Sequence, residues 1–278
     1  MVVTKKCHFV IETDVSSWCI GCTTGTFCVK FRIRFSTTMV APVPRVIVIR
    51  HGQTEWSKSG QHTSITDLPL TDFGVMQMRN TGKQLIGNSP LQLISPENLK
   101  YVFISPRKRA KQTADLLLEG LDEETRQKIQ VIEENNVREW EYGDYEGKLT
   151  KEIVESRRER GVDDPSHTWD IWSDGCENGE NHQQVTDRLD KAIAKIRDIH
   201  RKALDEKKPC DIVVVAHGHS LRCFVARWVG RPLNCNPQLM LDAGGVGVLS
   251  YQHHNIDEPA IYLAGAFVVP VEEEGKSL

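Results

Sequence analysis

No apolar stretch of this chain approaches the roughly 18 to 20 residues needed to span a bilayer as a helix. An excess of one charge is missing too. The 35 Lys and Arg face 38 Asp and Glu, a formal net charge of −3, which argues against nucleic acid or an anionic membrane as the main partner. There is no internal repeat and no low-complexity segment. Nor do the eight cysteines form a disulfide framework. Cys7, Cys19, Cys22 and Cys28 crowd the first 28 residues, whereas Cys176, Cys210, Cys223 and Cys235 are scattered. The later four suit reduced, mostly buried thiols of an intracellular protein. Cys19 and Cys22 have Cys-x-x-Cys spacing, but no second pair completes a zinc site. What the chain does have is material for a core, with 39% hydrophobic side chains over 278 residues. A globular enzyme or binding protein is the expectation.

Residues 1–38 differ from the rest. Lys5, Lys6, Lys30, Arg32 and Arg34 outnumber Glu12 and Asp14, and no helical or strand period is sustained. The two acids interrupt any secretory signal, and they count against an organelle-targeting peptide, which Arg32, Arg34 and the hydroxyl residues would otherwise suit. The reading adopted is a leader, disordered or a gene-model artefact, with Met39 as the start and residues 39–278 as one domain.

From Arg45 onward strands alternate with helices. Val46-Ile47-Val48-Ile49 and Ile212-Val213-Val214-Val215 are continuous apolar runs, the pattern of strands buried on both faces. Val102-Phe103-Ile104 is a third strand, with Pro106 in the first turn of the helix after it. Thr71 caps a helix over 72–86 that carries Val75, Met78, Gly82 and Leu85 on one side. The longest helix, over 184–204, has Val185, Leu189, Ile193, Ile196, Ile199 and Ala203 along one stripe. Another helix follows Ile212–Val215 and extends through Val229. The alternation predicts an α/β fold, a three-layer α/β/α sandwich around a mostly parallel central sheet.

Two buried runs end in similar chemistry, Arg50-His51-Gly52 and Ala216-His217-Gly218-His219. Ligands of open α/β sheets bind beyond the carboxyl ends of the strands. A histidine that stops a Val/Ile run is therefore placed to meet one, and the glycine after it lets the backbone turn sharply. An arginine beside a histidine suits a phosphate, which needs positive charge and donors.

These residues resemble the signature of the histidine phosphatase superfamily, the phosphoglycerate mutase-like fold. Arg50-His51-Gly52 looks like its first motif. Ser105-Pro-Arg-Lys-Arg109-Ala-Lys-Gln-Thr113 resembles the second arginine motif, Arg138-Glu139-Trp-Glu-Tyr-Gly143-Asp-Tyr-Glu-Gly147 the acid motif, and Ala216-His217-Gly218 the second histidine motif. All four occur in the family's order. Gln53-Thr-Glu-Trp-Ser-Lys-Ser-Gly-Gln61, Trp140–Gly147, Gly175-Cys-Glu-Asn-Gly-Glu180 and His253-His-Asn-Ile-Asp-Glu-Pro259 are similar to the fungal sedoheptulose-bisphosphatase branch, over residues 45 to 270. The stretch from Gly230 to Met240 is shorter than in some members, which bears on the pocket's rim.

The resemblance implies a metal-independent phosphatase without cofactor. His51 becomes a transient phosphohistidine. Arg50, Arg109 and His217 surround the phosphoryl oxygens. Glu139 is the general acid, protonating the departing sugar oxygen and then taking a proton from the attacking water. Glu141, Asp144 and Glu146 are expected to raise its pKa as like charges. Ser57, His62, Thr63, Tyr142, Arg222, Gly244 and Gly245 are the expected contacts to sugar and distal phosphate, the two glycines through backbone amides. The implied substrate is a small sugar bisphosphate, sedoheptulose 1,7-bisphosphate first and fructose 1,6-bisphosphate behind it. The implied setting is the pentose phosphate and ribose metabolism of the cytoplasm, with the nucleus also open to it, and neither nucleic acid nor membrane is a partner.

Rival readings rest on less. A phosphoglycerate mutase shares the four motifs but returns the phosphoryl group to its substrate. A metal-dependent hydrolase on His217, His219 and His253 lacks a tight ligand motif. An inactive binding module of the same fold is at odds with the filled catalytic positions. A nucleic-acid binder built on Arg107–Lys111 and Arg157–Arg160 is at odds with the acidic balance of the domain.

Overall fold

A computed structural model describes residues 43–89, 91–163 and 166–263, all within a compact unit, Pro42–Leu278. The readings made on residues 1–38, on Met39 and on the Cys19–Cys22 pair lie outside the described residues. The strands are β1 (Arg45–Arg50), β2 (Leu99–Ile104), β3 (Gln130–Glu133), β4 (Asp211–Ala216), β5 (Val246–Tyr251) and β6 (Pro259–Ile261). The helices are α1 (Glu55–Ser59), α2 (Asp72–Leu85), α3 (Lys108–Leu118), α4 (Glu123–Gln127), α5 (Thr150–Glu159), α6 (Ile171–Asp174), α7 (His182–Asp205) and α8 (Gly218–Trp228).

The strands form one sheet in the order β3-β2-β4-β1-β5-β6. β3, β2, β4 and β1 run parallel, while β5 is antiparallel to β1 and β6 to β5. The Val/Ile runs are buried because both faces of the sheet are covered. Val46 and Val48 of β1 pack with Val185, Leu189 and Ile196 of α7 and Phe224 of α8. Ile47 and Ile49, on the opposite face, pack with Met78 and Leu85 of α2 and Ala114 and Leu117 of α3. β4 divides in the same way, with Ile212 and Val214 on one side and Val213 and Val215 on the other. This is the expected three-layer α/β/α architecture with a mostly parallel sheet.

Local signals explain most boundaries. The Thr71 hydroxyl accepts from Gly74 N at the start of α2. Gly82 lies where α2 crosses α3, and a Cβ there would sit 2.6 Å from the Leu117 carbonyl oxygen, so glycine sets how closely the two helices pack. α7 begins two residues earlier than expected because Asn181 accepts from the Gln183 and Gln184 amides while the Gln184 side chain accepts from Asn181 N. One expectation is corrected. Pro106 is not in the first turn of α3, which starts at Lys108, whose amide donates to the Asp67 carboxylate at 2.7 Å. The cap comes from a loop forty residues upstream.

Candidate active site

β1 and β4 are parallel neighbours in register, Arg50 opposite Ala216. The chain leaves β1 toward β2 on one side and leaves β4 toward β5 on the other, so a crevice opens where these connections part. His51 and His217, the next residue of each strand, fall side by side. The His51 amide donates to the Ala216 carbonyl at 3.0 Å, and the two imidazole centroids are 5.1 Å apart. β2 lies on the other side of β4, and its end places Ser105 under His217.

Hydrogen bonds fix the proton on each ring. His51 Nδ1 is 2.8 Å from the Gly52 carbonyl oxygen. A carbonyl only accepts, so Nδ1 carries the hydrogen and Nε2 keeps its lone pair. Burial, then the Arg109 and Arg50 guanidiniums, hold the His51 pKa well below 6.5, so the ring is neutral near pH 7. His217 has the opposite tautomer. Arg109 Nε donates to its Nδ1 at 3.1 Å, and its Nε2 donates to Ser105 Oγ at 2.6 Å.

His51 lines a cavity of about 360 Å³ together with Arg50, Glu139, Tyr142 and Arg222. Arg50 Nη1 donates to the Leu241 carbonyl at 2.8 Å, while its Nε is buried without a partner among the described residues. Glu139 is held at the N-terminus of α8. Its Oε1 accepts from the Ser220 amide at 2.7 Å and the Trp140 amide at 2.8 Å, and its Oε2 accepts from the His219 amide at 3.1 Å. Oε1 thus has two amide donors and Oε2 one.

The outer wall is aromatic and basic. His62 Nδ1 donates to the Lys148 carbonyl at 2.9 Å, which leaves its Nε2 an acceptor. The Tyr142 hydroxyl lies 2.8 Å from His219 Nδ1. Burial and the Glu139 charge push the Tyr142 pKa well above 10, and burial with Arg222 pushes that of His219 well below 6.5, so both groups are uncharged. The Arg222 guanidinium lies over the Trp172 ring, 4.8 Å from its centroid, with Nε buried and without a partner among the described residues. Ser57 and Thr63 line the same cavity. The Ser57 hydroxyl is tied to Thr54, accepting from its amide at 2.8 Å and donating to its carbonyl at 2.9 Å.

Several expected residues stand elsewhere. Arg109 and His217 are fully buried behind His51 rather than on the cavity wall. The Arg109 donors go to the carbonyls of Thr66, Thr63 and Ser64 as well as to His217, so both side chains lie behind the His51 ring. Gly244 and Gly245 offer no free amide. Gly244 N donates to the His51 carbonyl at 3.0 Å and Gly245 N to the Asp242 carbonyl at 2.8 Å. Two of the expected like charges are also engaged away from Glu139. Glu146 accepts from Ser64 and Thr66, and Asp144 from Asn178.

Thr54, Trp56, Gln61, His219 and the Leu239–Asp242 segment also line the cavity without having been picked out as contacts. Thr54, Trp56 and Gln61 fall inside the Gln53–Gln61 segment quoted above, and His219 stands two residues beyond a strand-end histidine. Among the described residues no group of three or more His, Cys, Asp or Glu is placed to hold a metal ion, and no helix is long and apolar enough to cross a membrane.

Residues 46–260 match the model of the histidine phosphatase superfamily, branch 1, and the chain belongs to that superfamily. Within it, the chain is 50% identical over 270 residues to the sedoheptulose 1,7-bisphosphatase of Saccharomyces cerevisiae, covering 86% of this chain and 98% of that protein. An acid phosphatase of Mycobacterium tuberculosis is 34% identical, covering 75% of this chain and 87% of its own. A solved structure of an open reading frame product from the same bacterium is 30% identical, with a TM-score of 0.58 over 78% of this chain and 95% of that one. The phosphoglycerate mutase of Bacillus anthracis, at 19% identity and a TM-score of 0.57, covers 80% of this chain and 93% of its own and shares the fold.

Proposed function

We propose that this protein hydrolyses a sugar bisphosphate, sedoheptulose 1,7-bisphosphate first, to sedoheptulose 7-phosphate and phosphate through a phosphohistidine on His51. The observation that carries the reading is the neutral His51 ring, its Nε2 lone pair free because Gly52 holds Nδ1, in a cavity shared with Arg50 and Glu139. The 50% identity to the yeast bisphosphatase supports the substrate.

In the first step Nε2 of His51 attacks phosphorus in line and the bond to the sugar oxygen breaks. Arg50 meets the phosphoryl charge directly, and Arg109 and His217 hold the nucleophile from behind. The departing oxygen takes a proton from Glu139 at Oε2, the oxygen with the single amide donor. In the second step water attacks phosphorus, gives its proton back to Glu139, and the P–N bond breaks to release phosphate. The distal phosphate falls to Arg222, whose buried Nε lacks a partner among the described residues and whose guanidinium is set by Trp172. His62, Tyr142 and His219 read the sugar hydroxyls. No resident metal or cofactor is part of this reading. The described cysteines are free thiols, which supports a reducing compartment, the cytoplasm or nucleus.

The test is phosphate release from sedoheptulose 1,7-bisphosphate in EDTA by the parent and by His51→Ala. Release by the parent alone is expected. Equal release by both would overturn the role of His51, and no release by either folded protein would overturn the substrate.

A further inference from the structure

The α8 amides hold the Glu139 carboxylate, but its main chain needs a separate support. That support is a buried ion pair outside the cavity, between Glu180 and Arg188 of α7, each with a side chain 6% exposed. Arg188 Nε and Nη2 donate to Glu180 Oε1 and Oε2 at 2.7 and 2.8 Å. The remaining hydrogens go to main-chain carbonyls, those of Asn136 and Arg138 from Nη1 at 2.8 and 2.9 Å and that of Glu139 from Nη2 at 3.2 Å. All five donors of the guanidinium are used, three of them on the segment that carries the carboxylate.

Glu180 grips the same segment from its other side. Its Oε1 also accepts from Arg138 Nη2 at 2.7 Å, and its Oε2 from the Glu141 amide at 3.0 Å. Its own amide donates to the Glu141 carbonyl at 2.8 Å, and its carbonyl accepts from Trp140 Nε1 at 2.8 Å. Four successive residues, Arg138 to Glu141, are tied to this one pair. Glycine at 179 permits the close approach, since a Cβ there would collide with the Glu141 carbonyl oxygen.

Buried ion pairs are weak contributors to stability, because apolar side chains of similar volume often do as well or better. Their geometry, in contrast, is specific. We propose that Glu180 and Arg188 are positioning residues for Glu139, fixing the Arg138–Glu141 main chain so that Oε2 of Glu139 meets the leaving-group oxygen. The motif Gly175–Glu180 thereby gains a task in proton transfer without touching substrate. This inference rests on the reading of Glu139 as the proton donor given above.

The test compares kcat/KM for two esters, sedoheptulose 1,7-bisphosphate, whose alkoxide must be protonated as it leaves, and 2,4-dinitrophenyl phosphate, whose phenolate leaves without a proton. Five proteins are compared: the parent, Glu139→Gln, Arg188→Lys, Glu180→Gln and Arg138→Met. The last loosens the Glu180 carboxylate through a partly exposed side chain, so it is expected to fold even where a change in the buried pair does not. Glu139→Gln is expected to lower kcat/KM for the sugar by about 10²- to 10³-fold and for the aryl ester far less. The positioning variants are expected to lower the sugar value about 10- to 100-fold and to change the aryl value less than about threefold, as displacement of Oε2 alone requires. Equal losses on both esters, or no loss, in folded variants would overturn the positioning role. Equal losses in Glu139→Gln would overturn the reading of Glu139 itself, a separate and recognisable result.

Discussion

Nε2 of His51 is available because one carbonyl, that of Gly52, occupies the other ring nitrogen. The same logic of committed donors sorts the remaining cations. Arg109 spends four of its five hydrogens on three carbonyls and on His217, whereas Arg50 and Arg222 each keep a buried Nε without a partner among the described residues. If Arg222 holds the distal phosphate, Arg222→Leu raises KM for the bisphosphate about 10- to 100-fold, as expected for one charge-assisted contact. Hydrolysis of p-nitrophenyl phosphate, which has no second phosphate, is unchanged. Steady-state kinetics on the two esters check this, and equal effects on both would remove Arg222 from the distal site. The histidines were legible in the sequence because a strand end is a local event, a Val/Ile run stopped by His-Gly. The commitments of Arg109 were not, since its carbonyl acceptors lie on a loop more than forty residues upstream and His217 more than a hundred downstream, neighbours only in the folded chain.

α2 shows how an element serves the site without entering it. The Thr71 hydroxyl accepts from Gly74 N and lies 3.0 Å from Gln53 Oε1, and the Thr71 amide donates to the Gln53 carbonyl at 2.9 Å. The helix start is therefore joined to the turn that follows His51. Thr71→Ala is expected to cost about 1 kcal/mol, the usual value of an N-cap, read as a lower urea midpoint with an unchanged slope. α2, α3, α7 and α8 were legible because start signals and apolar stripes are written locally, whereas α5 and the short α1, α4 and α6 were not picked out. β1 and β4 were legible for the same reason, as continuous β-branched runs. β5 was not picked out, because Val246-Gly-Val-Leu-Ser-Tyr251 is broken by a glycine and a serine. Short β3 and β6 lie at the sheet edges, where burial imposes little pattern. Strand order and the antiparallel direction of β5 are long-range pairings that no local pattern encodes.

Across the molecule, the covered sheet buries a histidine remote from the cavity. His200 of α7 is fully buried, 2.9 Å from the Tyr251 hydroxyl, and burial pushes its pKa down from 6.5 to about 3. The native ring therefore resists a proton that the unfolded chain accepts. Its share of stability is fully present above pH 6.5 and is lost as pH falls from there toward about 3. Between pH 7 and pH 5 this single group removes about 2 kcal/mol. His200→Gln retains a partner for Tyr251 without the titration, so its urea midpoint falls less over that interval. Parallel losses in parent and variant would show that His200 does not contribute.

The central claim is the covalent bond to His51. Parent protein mixed with sedoheptulose 1,7-bisphosphate carrying radioactive phosphate at C1 is quenched in alkali within the first turnovers, since phosphohistidine survives base, and then digested. The account predicts label on the peptide containing His51, with none on His51→Gln under the same quench. Rapid phosphate release without protein-bound label, or release that persists in His51→Gln, would contradict it.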